Sequence, residues 1–337
     1  MRIITPSVEL MRAGTEINFM LPEQFIEKVG RTCYKSEDKI TDDSAAKFVS
    51  NLIKRGHEAM IEHWSLIFKT RAATYDEIIN DWETLLHSGN IPIVERLRPH
   101  LRFTDTLAQD GELREIVSGN MRAWRDYAKA CVTGFGRMPE YMWGMIRNYP
   151  LFFPEYQDYV PPCIVNDILV PIDLYDLTEE ERRVHQDITV KFICDRGVSH
   201  EIVRHRVASY AQESTRYCNY GNDKFGGEIS VIRPSWCGNG TGTYDAWFNG
   251  CLDAERSYLG LLAAGATPQE ARSVLPNSTK TEIVVTANID DWAHFFELRC
   301  TTSAHPDMRE VALMSECLME TNGVWVFGRE KDETSNQ

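Results

Sequence analysis

The run DITVKFI at 187–193 sets Ile188, Val190 and Phe192 against Thr189 and Lys191. Side chains of a strand alternate between its two faces, so this spacing predicts a strand with one face in a core. A strand needs partners. Three other stretches qualify: WSLIFK at 64–69, EISVIRP at 228–234, and TEIVVTANI from Thr281 to Ile289. The first run leads through CDRG into a helix expected to start near Ser199. The last leads into the helix DWAHFFELRC, which Asp290 or Asp291 would cap. A further helix is expected over 44–55, where Ala45, Phe48, Val49, Leu52 and Ile53 form one stripe. Asp42, Asp43 or Ser44 would open it and Gly56 would end it, which leaves His57 just beyond its end. Long helices are also expected near 244–263 and 306–321. Strands and helices are mixed along the chain, so the class is α/β in the mixed, α+β sense.

The chain has 337 residues, which allows about two domains or one domain with a large insertion. Residues 75–185 differ in character from the rest. TYDEIINDWETLLHS, GNMRAWRDYAKAC and RMPEYMWGMIRNYPLFFPEY read as mostly helical, joined by aromatic and proline-rich connections. The expected division is a core from 1–75 and 186–325, an inserted helical subdomain at 76–185, and a polar tail at 326–337. A net charge of −14 argues against broad contact with nucleic acid or an anionic membrane, while leaving room for a local anion site. No apolar run approaches the roughly 18–20 residues of a membrane span. MRIITPSVEL has no apolar stretch of signal-peptide length, so a cytoplasmic location is expected. Nine cysteines without a CxxC pair suggest free thiols in a reducing compartment, Cys163 among them as a structural residue, and no metal site.

The stretch EIVRHRVASYAQESTRY at 201–217 gathers Arg204, His205 and Arg206, then Ser214 and Arg216, in this acidic chain. Helical residues are about 100° apart, so three successive basic groups cover roughly 200° of a helix and cannot share one solvated face. Either the helix stops there or one arginine enters a cavity. A surface cluster paired with Glu201 and Glu213 is as plausible as an anion site. Arg299 is the stronger signal, because it falls near the middle of the stripe formed by Trp292, Phe295 and Phe296. It is either one half of a buried ion pair or a bidentate donor to an anionic ligand or a base edge. Arg272 follows Thr267-Pro268, a plausible cap and first helical residue. His57, Ser214 and Arg272 are each unremarkable alone. No GxGxxG, GxxxxGK[ST] or GxSxG loop occurs, so standard nucleotide-loop and serine-nucleophile sites lack support.

Taken together, RHRVASYAQES resembles the RHR-x7-S signature of the flavin-dependent thymidylate synthase family. GHEAMIEHWSLIF at 56–68, ARSVLP at 271–276 and TANIDDWAHFFELR at 286–299 resemble three more of its segments, in the family's order. The resemblance covers roughly 1–70 and 186–325 and implies that family's core fold with a mostly helical insertion. It implies an enzyme that converts dUMP to dTMP with methylenetetrahydrofolate as carbon donor, FAD as cofactor and NADPH as hydride source. It also implies a homotetramer with shared sites. Carried over by position, Glu201, Arg204, Gln212, Glu213, Ser214, Thr215, Arg216, Arg272 and Arg299 would bind dUMP. His57, Ala59, Arg204, His205, Arg206, Gln212, Asn288, Asp290 and His294 would bind FAD. Arg299 would be catalytic, favouring ionisation at N3 of the uracil. Three positions depart from the pattern: Ala59 replaces a common Ser or Thr, Glu201 a common Gln, and Thr215 a common Gly. His294 lies opposite the stripe that carries Arg299, which implies pockets in different subunits.

Overall fold

The computed structural model describes residues 1–12, 20–87, 97, 99–107, 113–161 and 169–324; Cys163 and the tail at 326–337 lie outside them. Its strands are β1 (Arg2–Ile4), β2 (Ser7–Arg12), β3 (Ser65–Thr70), β4 (Leu101–Leu107), β5 (Leu113–Asn120), β6 (Val170–Pro171), β7 (Asp187–Asp195), β8 (Ser209–Gln212), β9 (Ser230–Ile232) and β10 (Lys280–Asn288). They form an antiparallel sheet in the order β2-β7-β10-β8, a second antiparallel sheet in the order β4-β5-β3-β6, and a parallel β1-β9 pair.

The sheet that positions the site is built on β7 and β10. Their register pairs Ile188 with Ala287, Val190 with Val285 and Phe192 with Ile283. These side chains pack under Trp292, Phe295 and Phe296 of helix Ile289–Arg299, and Met308 and Val311 of helix Pro306–Thr321. On the other face Val284 and Ala211 meet Phe25 and Val29 of helix Pro22–Tyr34. Both faces are therefore covered, and the expectation of one polar face on β7 is corrected. Thr189 is fully buried, and its hydroxyl contacts that of Thr286 at 2.8 Å. Lys191 is half-buried and paired with Glu282. A central strand can hold such residues where each polar atom meets a partner across the sheet.

The block at 76–185 holds more helix than strand: Ala72–His87, Met121–Phe135, Trp143–Asn148 and Glu179–His185. It also supplies β4 and β5, which the sequence does not announce, because LRFTDTL and LREIVSGN mix charge into any alternation. β5 pairs with β3 from Ser65↔Asn120 to Thr70↔Glu115. One apolar cluster contains Ile26, Val49 and Phe68 together with Trp124, Tyr127 and Ile146. Position 75/76 lies within a helix rather than in a linker. Among the described residues no helix is long and apolar enough to cross a membrane.

Candidate active site

Helix Arg196–Ile202 begins three residues earlier than expected, because Asp195 caps it and accepts from the Val198 amide at 2.8 Å. It ends at Ile202, which resolves the crowding of the three basic residues that follow. Arg204 and Arg206 are exposed, and neither makes an ion pair among the described residues. His205 turns inward, edge-on to Phe295 with ring centres 4.8 Å apart. Its Nε2 accepts from Arg299 Nε at 2.8 Å. Arg299 Nη1 donates to Glu201 Oε2 at 2.7 Å. The Arg299 side chain, 19% exposed, stands at the rim of the core, and in this chain it forms the ion pair the sequence held open as one alternative. Burial, then the Arg299 charge, then His294, lower the His205 pKa to about 4, so the ring is neutral at pH 7 and free to accept.

Asn288 caps helix Ile289–Arg299, accepting from the Asp291 amide at 2.7 Å. This corrects the expected caps, Asp290 and Asp291. Asp290 is exposed and pairs with Arg183 at 3.0 Å. His294 is exposed, with its ring centre 6.3 Å from that of His205. A narrow cleft runs beside these residues, lined by Ile202, His205, Arg206, Tyr210, Trp292 and His294.

A second group forms where β8 ends. Gln212 keeps to the first face, donating to Ser199 Oγ at 2.8 Å and Thr281 Oγ1 at 3.2 Å. The chain then crosses the sheet edge, where the Ser214 amide bonds the Cys33 carbonyl at 2.9 Å. Thr215, flanked by Ser214 and Arg216, meets Arg272 here. The Arg272 Nη1 lies 3.4 Å from Thr215 Oγ1, and Arg216 Nε donates to Gln269 at 3.0 Å. Both guanidinium groups are on exposed residues, so this turn presents two cations beside a hydroxyl pair. Thr267 and Glu270 form a capping box that fixes the segment carrying Arg272. Glu213 is buried instead, between Lys280 at 2.8 Å and Tyr220 at 3.1 Å.

The third group lies on the face of helix Pro22–Tyr34. His57 and Ala59 are exposed on a cleft of about 360 Å³ that Cys33, Tyr34, Met60 and Arg122 also line. The cleft beside His205 and the one beside His57 share no lining residue. One chain therefore brings Glu201, His205 and Arg299 together, and separately Ser214, Thr215, Arg216 and Arg272. It does not join His57 and Ala59 to His205, Arg206 and His294.

Sequence reasoning missed the ion network under the second group. Glu282 bonds Lys35 at 2.8 Å and Lys191 at 2.6 Å, and also Lys280, which bonds Glu213. Burial pushes the Glu282 carboxyl up, yet Lys280, Lys191 and Lys35 overcome it and hold its pKa at about 2. Lys280 and Glu282 stand two apart on β10, a spacing that puts both on one strand face and was the available signal. It also missed Arg122, Arg125 and Lys129, whose polar stripe in helix Met121–Phe135 is visible at steps of three and four.

Residues 182–321 match the family model described as thymidylate synthase complementing protein. A flavin-dependent thymidylate synthase from Geobacter sulfurreducens is 36% identical over 133 residues, covering 38% of this chain and 53% of the relative. One from Pyrococcus abyssi is 34% identical over 119 residues, covering 35% and 48%. One from Corynebacterium glutamicum is 33% identical over 156 residues, covering 41% and 59%. The chain thus spans about half the length of these curated relatives. Among solved structures, a UMP/dUMP methylase, PolB, from Streptomyces cacaoi bound with 5-Br dUMP is 22% identical, with a TM-score of 0.34, over 40% of this chain and 66% of that one.

Proposed function

Residues 182–321 carry the sequence pattern of the flavin-dependent thymidylate synthases, and from that premise we propose that the protein is such an enzyme. It takes dUMP, methylenetetrahydrofolate, NADPH and a proton to dTMP, tetrahydrofolate and NADP. The observation that carries the reading is the turn at the end of β8, where Ser214, Thr215, Arg216 and Arg272 converge, exposed or half-exposed except for Thr215. Two guanidinium groups and two hydroxyls suit the phosphate of a nucleoside monophosphate.

The residues available also fit FAD. Arg204 and Arg206 are exposed cations suited to its phosphates. The cleft beside His205, walled by Trp292 and Tyr210, offers aromatic surface, and so does the one beside His57. A bound flavin supplies hydride chemistry that side chains lack. Because His57 and His294 lie on different clefts, each complete site draws on more than one subunit of a homotetramer. Arg299 stands beside the uracil edge and favours loss of the N3 proton. Neutral His205 holds the Arg299 Nε, the Glu201 carboxylate holds Nη1, and the Glu201 carbonyl takes Nη2 at a long 3.5 Å, which orients the fork and leaves the weakly held Nη2 to turn to the base.

The test is dTMP formation by the purified protein with dUMP, methylenetetrahydrofolate, FAD and NADPH, beside Arg299→Ala. Product from the parent, with turnover in the variant lower by about 100-fold or more at equal flavin content, is expected. Equal turnover removes Arg299 from the chemistry. Absence of product from the parent, with flavin and dUMP bound, favours a binding scaffold in which Glu201 and His205 keep Arg299 occupied.

A further inference from the structure

Helix Met121–Phe135 of the inserted block lies against the turn Glu58–His63, next to His57. Its side of that contact opens a second cavity of about 410 Å³, lined by Glu58, Arg122, Arg125, Asp126, Lys129 and Glu155, with Tyr156. Glu58 and Arg122 also line the cleft that holds His57, so these two residues form a shared wall. The two spaces differ in chemistry. The first is walled by Cys33, Tyr34, Leu52, Ala59 and Met60. The second is almost wholly charged.

Three cations, Arg122, Arg125 and Lys129, stand in it against three carboxylates, Glu58, Asp126 and Glu155. Arg125 is 6% exposed. It meets both oxygens of Glu155, Nη1 to Oε2 and Nη2 to Oε1, each at 3.0 Å, and Nη2 also reaches Glu58 at 3.3 Å. Its Nε is buried with no hydrogen-bond partner among the described residues, a costly state for a guanidinium nitrogen. Glu155 comes from the short Pro154–Tyr159 turn and its side chain is half exposed, so the group filling the fork is itself accessible. Lys129 is exposed and makes no ion pair among the described residues. Arg122, on Glu62, faces both spaces.

We propose that the inserted block is part of the binding site, and that this chamber takes the anionic tail of the co-substrate whose ring system enters the His57 cleft. Arg122 and Lys129 attract the tail, and its carboxylate or phosphate takes a place beside the Arg125 fork. The proposal rests on the reading of the His57 cleft as part of a flavin enzyme. Two co-substrates have such tails: the glutamyl carboxylates of the folate and the phosphates of the reduced dinucleotide.

The experiment uses the flavin-loaded oligomer with Lys129→Glu and Arg122→Gln, and Arg256→Glu as a reversal at an exposed residue on the distant helix Gly242–Ala263. Steady-state KM is measured for methylenetetrahydrofolate with one and with several glutamates, for NADPH and for dUMP, at low and high salt. Direct binding of each is measured by quenching of flavin fluorescence. KM for one co-substrate should rise about tenfold in Lys129→Glu, with kcat held within about twofold and the difference shrinking at high salt. Dependence on the number of glutamates assigns the folate; a change for NADPH alone assigns the dinucleotide. Arg256→Glu and the dUMP KM should not move. Unchanged constants and binding for both co-substrates in the two folded variants overturn the proposal. If the parent makes no dTMP but binds a co-substrate that the variants bind more weakly, the chamber stands and the synthase reading falls. If the parent binds neither, both fall.

Discussion

Three histidines are held neutral by the fold. His205 is driven to a pKa of about 4, burial leading the causes. His63 is fully buried, its Nδ1 is 2.7 Å from Thr286 Oγ1, and burial drives its pKa to about 3. His185 is also fully buried between Ser118 Oγ at 2.7 Å and Thr104 Oγ1 at 2.8 Å, with a pKa lowered to about 4, burial again leading. A folded-state pKa below the unfolded value, about 6.5, means the unfolded chain binds more protons. The stability these groups carry is complete above pH 6.5 and is lost as pH falls toward 4. The urea midpoint should therefore drop between pH 7 and pH 5, before most carboxylates titrate, and His185→Gln should flatten that slope. A midpoint that does not move over this range would refute the assignment. These histidines were not legible as buried in the sequence. His63 and His185 are buried by strands remote in the chain, β10 for the first and β4 and β5 for the second, and His205 by the helix that carries Phe295; neither periodicity nor local spacing encodes such contacts. Arg299 was legible, since an arginine in an apolar stripe needs a partner. The identity of the partners, Glu201 and His205, was not, because they lie almost a hundred positions away.

At the scale of elements, the regular strands and amphipathic helices were readable because one period dominates each. β7, β10 and the helices Ser44–Lys54 and Pro306–Thr321 follow the expected ranges to within a residue or two. Boundaries set by caps were harder. Asn288 outcompetes Asp290 and Asp291, and Asp195 starts its helix before Ser199, because an N-cap needs extended backbone as well as a short acceptor side chain. Asn288 caps the helix, and the family resemblance implies a cofactor contact for it as well. Asn288→Asp keeps an acceptor, while Asn288→Ala removes it and should lower the unfolding free energy by about 1 kcal/mol. If Asn288 also touches the flavin, Asn288→Asp should lose flavin while keeping its melting temperature. Equal flavin retention in parent and Asn288→Asp, with a melting loss only in Asn288→Ala, would leave it a cap alone. β4 and β5 escaped reading because charged residues break their alternation, and because β3, the further partner of β5, is supplied by another part of the chain.

Across the whole molecule, the sheet β2-β7-β10-β8 separates two sets of side chains. Its β8 edge is where the chain passes from one face to the other. His205, His294 and Arg299 stay on the side of helix Ile289–Arg299, and His57 and Ala59 on that of helix Pro22–Tyr34. The motifs propose the residue set; its partition was not legible in them, since motif order carries no information about which face of a sheet each segment covers. The inserted block reaches both sides: Arg122 walls the His57 cleft, and helix Glu179–His185 meets helix Ile289–Arg299 through Arg183 and Asp290. This partition has a genetic consequence for the proposed assembly. A site that takes one side from each of two subunits can be broken in either, so two dead proteins need not make a dead mixture. His57→Ala and His294→Ala, each inactive alone, should recover activity when co-expressed. Random mixing rebuilds about a quarter of the sites from the intact half of each parent. Failure to recover any, with mixed oligomers confirmed by mass, would mean that both halves belong to one chain's own site. Recovery would mean that a loss-of-function allele of this gene can be silent or harmful depending on which allele stands opposite it.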